Sequence, residues 1–366
     1  FFRTNSCVTT ADGLETATAL RWSDGHPDAP ANAAYYSWSQ NSGEYPALTF
    51  YHKTGAELRN VTYGFSGEEI YVDKFYDAKG NLSGESLPYK KSAGIGGVIS
   101  YSYDELNRLV RTDYPDNSSV AVSYNGNKTT TTFTGKNGGT QSSSKTYHGN
   151  GWLKKSVDTG GNAVCNIYNA DGTLHSTYIE GFNDTVSFSY NSAGMKTRID
   201  DPDYGVVTYR YNAFGEILSQ KSPKNITTSY EYDILGRTVS RSVLNNTNGN
   251  EEQTAWFYEN NLKGRKGTLK DILHDNNSVS YQYDNLLRVT SESETFDGET
   301  YNTSYTYDQY GRLNKTTYPS GFVTVNEYNE GGFLSMIKGK SNNMLWKAVN
   351  YNAMGQITQF VVGNSI

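Results

Sequence analysis

The residue types able to do chemistry are few in this chain and poorly placed for it. The five histidines (His26, His52, His148, His175 and His274) are scattered, with no His-x-x-x-His spacing and no neighbouring cysteine. Zinc or histidine-based catalysis therefore has no ligand set to work with. Cys7 and Cys165 lie far apart and form neither a disulfide framework nor a metal-ligand spacing. Asp200, Asp201 and Asp203 are close enough to offer oxygens to Ca²⁺, but they lack the spaced ladder of a calcium loop and read as an acidic turn. Repeated Asp77, Asp104, Asp233, Asp284 and Asp308 invite a paired-carboxylate glycosidase reading. Their regular period marks them as turn residues instead. Gly94-Ile95-Gly96-Gly97 has neither the Lys-Ser/Thr of a phosphate loop nor a following helix, and is expected to be a connection. The basic Lys263-Gly264-Arg265-Lys266 run is short and reads as a solvated loop. No catalytic residue, metal or cofactor is expected.

The elements behind this pattern come from one repeat. An aromatic residue followed by Asp, Asn or another polar residue recurs from Tyr51-His52 and Tyr76-Asp77 through Tyr103-Asp104, Tyr124-Asn125, Tyr147-His148, Tyr168-Asn169 and Tyr190-Asn191. It continues through Tyr211-Asn212, Tyr232-Asp233, Tyr258-Glu259, Tyr283-Asp284, Tyr307-Asp308, Tyr328-Asn329 and Tyr351-Asn352. The fourteen copies are spaced by 21 to 27 residues, which is the signature of an array. Before each pair the residues alternate, as in Tyr209-Arg210-Tyr211 and Tyr281-Gln282-Tyr283, so a strand is predicted with both rings on one face. Asp or Asn then bends the chain. Glycine three residues on (Gly80, Gly215, Gly236, Gly311) supplies the positive φ of a tight turn. A polar and an aliphatic residue, as in Arg312-Leu313, open the return strand. Midway between pairs stand further turn sequences, such as Asp201-Pro202-Asp203-Tyr204-Gly205 and Tyr318-Pro319-Ser320-Gly321. The predicted unit is strand, tight turn, strand, and the chain is predicted to be all-β.

Composition fits a thin structure better than a thick one. Of 366 residues, 31 are Tyr and 36 are Gly, while the whole hydrophobic class, Tyr included, reaches only 36%. A conventional oily core is therefore not expected, yet 14% aromatics and a net charge of −6 argue against disorder. No apolar run approaches a membrane span, and 32 basic against 38 acidic residues leave no footprint for nucleic acid. The chain opens on Phe1-Phe2-Arg3 without an initiator Met, and is expected to be a piece of something longer. Residues 1–50 lack the regular spacing and are expected to be an irregular segment leading into the array of 51–366, with Trp22, Trp38 and Tyr35-Tyr36 packing at its start. The five Trp residues stand off the tyrosine-pair position and are the better candidates for a contact surface.

Tyr307-Asp308-Gln309-Tyr310-Gly311-Arg312-Leu313 and Tyr232-Asp233-Ile234-Leu235-Gly236-Arg237 resemble the YD repeat of the Rhs family, of toxin-complex B/C subunits and of teneurins. Val61-Thr62-Tyr63-Gly64-Phe65-Ser66-Gly67 and Tyr71-Val72-Asp73-Lys74-Phe75-Tyr76-Asp77 look like the opening of such a region. The resemblance covers about residues 50–366. It implies hairpins wound as a spiral β-sheet forming part of a hollow shell, secreted or at the bacterial cell surface. That shell would enclose a toxin domain of the same polypeptide and work with secretion or toxin-complex components. The alternative function is a surface adhesin that binds glycans, and the alternative fold is a β-propeller in which two hairpins make a blade. The family's self-cleavage motif has no counterpart, since the single Asp-Pro, Asp201-Pro202, falls in a mid-array turn.

Overall fold

The structure is a computed structural model that describes residues 5–10, 14–182, 184–259 and 267–363. Among these, every regular element is a strand: 32 strands joined as one antiparallel sheet. The sheet is continuous and not divided into four-stranded blades, so the propeller alternative is excluded. The chain forms two compact units, residues 1–119 with 302–366, and residues 120–301.

In the first unit, β1 (Asn5–Thr9), β2 (Glu15–Trp22), β3 (Ala33–Asn41), β4 (Ala47–His52), β5 (Glu57–Tyr63) and β6 (Glu69–Tyr76) pair in succession. The sequence led us to expect an irregular first fifty residues. They instead hold four strands, and position 50 lies inside β4. β1 to β3 are rich in Thr, Ser and Ala and carry no tyrosine pair, so nothing periodic marks them; the first pair, Tyr51-His52, closes β4. β6 then serves two ladders. Its residues 69–73 face β5 and its residues 74–76 face β7 (Leu82–Ser86), while the two-residue β8 (Tyr89–Lys90) returns to Ile70 and Tyr71. β7 passes the sheet on to β9 (Val98–Tyr103). The Pro88 and Gly94–Gly97 stretch is the connection around this fork.

The concentrated core lies here as well. Tyr36, Leu48, Phe50, Val61, Tyr71 and Tyr89 form one buried cluster, with Ala29, Ala33, Trp38 and Tyr63 packed against it. Phe50 and Val61 have no exposed surface. A Phe truncated to Ala in such a site costs about 3–5 kcal/mol. Elsewhere the strands are mostly half-buried.

In the second unit, successive hairpins run from Lys128–Thr134 to Val289–Phe296, each strand pairing with the next. The repeated Tyr sits at the end of its strand, as Tyr168, Tyr190, Tyr211, Tyr232 and Tyr283 show.

Candidate functional site

The feature that recurs is the turn after each tyrosine. At Tyr211-Asn212-Ala213-Phe214-Gly215, Asn212 N–H donates to Glu216 O at 3.0 Å and Gly215 N–H to Asn212 O at 3.2 Å. This is a three-residue hairpin loop whose last residue, Gly215, has φ +87°. The Asn212 side-chain oxygen also accepts from the N–H groups of Phe214 and Glu216. The same bonds recur at Asp77, Asp104, Asp233, Asp284 and Asp308, with Gly80, Gly236 and Gly311 at positive φ. Where glycine is missing, Asn107 and Leu287 take up φ of 58° and 64° in its place. Tyr124 is different: Asn125-Gly126-Asn127 makes a shorter turn with φ +55° at Gly126.

The tyrosine itself sits beside a bulge. Arg210 faces Ser219, but Tyr211 faces Ile217, so Leu218 is an extra residue on the return strand. The same slip occurs at Tyr76, Tyr103, Tyr232, Tyr283, Tyr307 and Tyr328. Each ring reaches back to the preceding copy. Tyr211 Oη donates to the carbonyl of Lys196 at 2.7 Å, Tyr232 to Ile217 at 3.0 Å, Tyr283 to Leu269 at 2.6 Å and Tyr103 to Leu82 at 2.8 Å. The acceptor is the first residue of the previous return strand. Tyr328 likewise bonds the carbonyl of Leu313. Arginine at the fourth turn position adds a second link: Arg237 lies over the ring of Tyr258 at 4.1 Å and Arg312 over Tyr328 at 4.3 Å.

That fourth position follows a rule the sequence reading missed. Asp at the turn faces a donor: Arg108, Arg237, Arg288 and Arg312 pair with Asp104, Asp233, Asp284 and Asp308, and Asn81 donates to Asp77. At three of the Asn turns the side chain faces an acceptor there: Asn169 donates to Thr173 Oγ1, Asn212 to Glu216 Oε2 and Asn352 to Gln356 Oε1, whereas Asn191 and Asn329 have Met195 and Phe333 at that position. The pairing was available as an i, i+4 pattern within each turn. Its effect on Asp233 is direct: the hydrogen bond from Arg237 is the largest influence holding the carboxyl below its ordinary value.

The second feature is a buried ionic cluster in the first unit. The loop between β2 and β3 is pinned by Asp28, which accepts from Tyr71 Oη and from Lys91 Nζ at 2.6 Å. Arg59 pairs with Asp73 at 2.5 Å, donates to Asp28 O at 3.1 Å and lies 4.3 Å from the Tyr71 ring. Tyr89 Oη closes the group on Asp73 at 2.6 Å. Burial tends to raise the Asp28 pKa, but the hydrogen bonds from Lys91 and Tyr71 outweigh it and hold the group below its ordinary value. Burial and then the bond to Asp28 push Tyr71 up to about 12, and Tyr89 moves to about 12 by burial and its bond to Asp73.

The residues tested for catalysis do not converge. Asp200 pairs with Arg198, while Asp201 caps its own turn through the N–H groups of Asp203 and Tyr204. His26 sits 3.8 Å from Asp28, His52 bonds Thr54, and His274 bonds Thr254. Among the described residues no three His, Cys, Asp or Glu side chains come together as a metal site. The Lys263–Lys266 run lies outside the described residues. Of the tryptophans, Trp152 packs on Tyr168 and Trp346 on Phe360, whereas Trp22 stands 58% exposed.

No family model and no curated protein matches this sequence. Solved structures do match it. The crystal structures of TcdB2-TccC3-TEV and TcdB2-TccC3-Cdc42 superpose with TM-scores of 0.71 and 0.72 at 13% identity, each over 94% of this chain. The Photorhabdus luminescens Tc holotoxin pore gives 0.70 at 13% identity over 89%. The chain has the fold of these toxin-complex chains. It spans 20% of their length. Through this similarity the expectation of an Rhs-like, all-β array is met in fold, with one long antiparallel sheet like part of the toxin-complex B/C shell.

Proposed function

We propose that this chain is a non-catalytic wall segment of a secreted bacterial toxin shell, which encloses a toxin domain carried by the same polypeptide. The observation carrying this reading is the continuous hairpin sheet shared with the TcdB2-TccC3 chains over 94% of its length. The chemistry agrees with a wall. The repeated Asp and Asn side chains spend their oxygens on their own turns, and the repeated tyrosine hydroxyls spend their protons on the preceding copy. The action is steric, with the sheet separating cargo from solvent and proteases until delivery.

The test is protease protection of the full-length polypeptide that contains this segment. A cargo domain inside a closed wall resists digestion until the shell is unfolded by denaturant. Cleavage of the cargo at the rate of the free domain, with the shell intact, would overturn the reading. A glycan array run on the same protein checks the adhesin alternative, for which saturable binding is the signature.

A further inference from the structure

Trp22 ends β2, and the register sets it directly opposite Tyr35 on β3. The next pairing sets Tyr51 opposite Tyr35, and those two rings stack at 5.0 Å and 14°. Trp22, by contrast, has no ring partner among the described residues. A cavity of about 380 Å³ lies there instead, lined by Leu20, Trp22, Ala34, Tyr35 and Lys53 together with Arg21. A bulge falls at the same place: Ala33 faces His52 and Tyr35 faces Tyr51, so Ala34 is an extra residue on β3. Lys53 belongs to the turn after Tyr51, which is closed by Gly55 N–H donating to His52 O at 2.9 Å and His52 N–H to Ala56 O at 2.8 Å.

The polar side chains around this cavity are almost all donors. Lys53 has no carboxylate partner among the described residues, and neither has Arg21, whose guanidinium lies 6.0 Å from the Trp38 ring. The Trp22 indole N–H and the Tyr35 hydroxyl bond no other described group. The repeated tyrosines differ here, since Tyr211 and Tyr232 spend their hydroxyls on backbone carbonyls. Among the described residues, Tyr35 Oη is the one side-chain acceptor in the lining. A neutral sugar, with several hydroxyls that need acceptors, is therefore poorly matched. A ligand with an aromatic face and an anionic acceptor suits the groups present.

We propose that this cavity binds a small aromatic carboxylate. The ligand ring would take the place beside Trp22 that no other ring fills, against Leu20 and Tyr35, and its carboxylate would accept from Lys53. The unpaired ammonium group sets the sign of the ligand charge, and the apolar walls require that the rest of the ligand be apolar. The volume stands near the lower end for ligand pockets, about 300–1,000 Å³, which suits a one- or two-ring acid. The site lies wholly within the first unit and holds whether or not the sheet encloses a cargo.

Titration calorimetry of the whole chain with naphthoate, and with its neutral counterpart naphthamide, tests this. The wild type should bind naphthoate saturably and naphthamide about fivefold more weakly, the scale of an exposed ion pair. K53M should remove that preference and leave the two probes equal. W22A should weaken both probes alike, by about tenfold, through loss of one aromatic contact. Unfolding midpoints should not move in either variant, because Lys53 is exposed and Trp22 is 58% exposed. Absence of saturable naphthoate binding at millimolar concentration would overturn the proposal. So would a preference for naphthoate that survives K53M, or binding to W22A as tight as to the wild type.

Discussion

Asp233 and Asn212 hold the same turn position and cap the same two backbone N–H groups, yet their second side-chain atoms face opposite partners. Asp233 meets the Arg237 guanidinium and Asn212 the Glu216 carboxylate. At these two turns the choice between Asp and Asn matches the residue four positions on. N212D would place two carboxylates against each other and should lower stability by up to about 1 kcal/mol, the scale of exposed charge pairs. N212D/E216R should recover the loss. Urea unfolding midpoints read both, and an unchanged midpoint in N212D would sink the rule. The sequence held this pattern openly, but only as pairs of residues inside a turn. A reading tuned to the longer period passed over it.

At the scale of elements, the tyrosine period located the hairpins, because strand alternation and turn chemistry are local properties that each copy restates. β1 to β3 were not legible in that way. Their strands lack the pair, and Tyr71 and Tyr89, which join Tyr36 in the buried cluster, arrive from later strands. Contacts between turns far apart in the chain were less legible still. Tyr45 and Gly331, like Arg312 and Gly43, are joined by nothing that a window along the sequence contains. This contact makes a sharp prediction. Gly331 must admit the Tyr45 ring, so G331A should destabilise the first unit by about 1–3 kcal/mol through overpacking. Adding Y45A should relieve the clash, so that G331A in the Y45A background costs much less than in the wild type. Equal costs in the two backgrounds, measured by thermal unfolding, would show that the ring is not the obstacle.

For the whole molecule, the same chain carries a concentrated ionic and aromatic core in the first unit and a repetitive run of hairpins in the second. The two should answer pH differently. Tyr71 ionises at about 12 in the fold against an ordinary 10.0, so its contribution is intact below pH 10 and is lost as pH climbs towards 12. Tyr89 behaves alike. Asp28 works on the acid side: its depressed pKa contributes stability above the ordinary 3.8, and that contribution fades as pH falls through the lower folded value. Y71F should flatten the alkaline limb of a stability–pH profile and, by removing one of the two hydrogen bonds that hold Asp28 down, also weaken the acid limb, leaving Lys91 to sustain what remains of it. An alkaline limb unchanged by Y71F and by Y89F would remove these tyrosines from the account. The repeated tyrosines have a different consequence. Their hydroxyls end on backbone carbonyls, so the acceptor can belong to Leu82, Lys196, Ile217 or Thr238 without altering the bond. Side chains along the return strands are thereby free to drift. A sheet held this way can keep its fold while those side chains vary, and the toxin-complex chains share the fold at 13% identity.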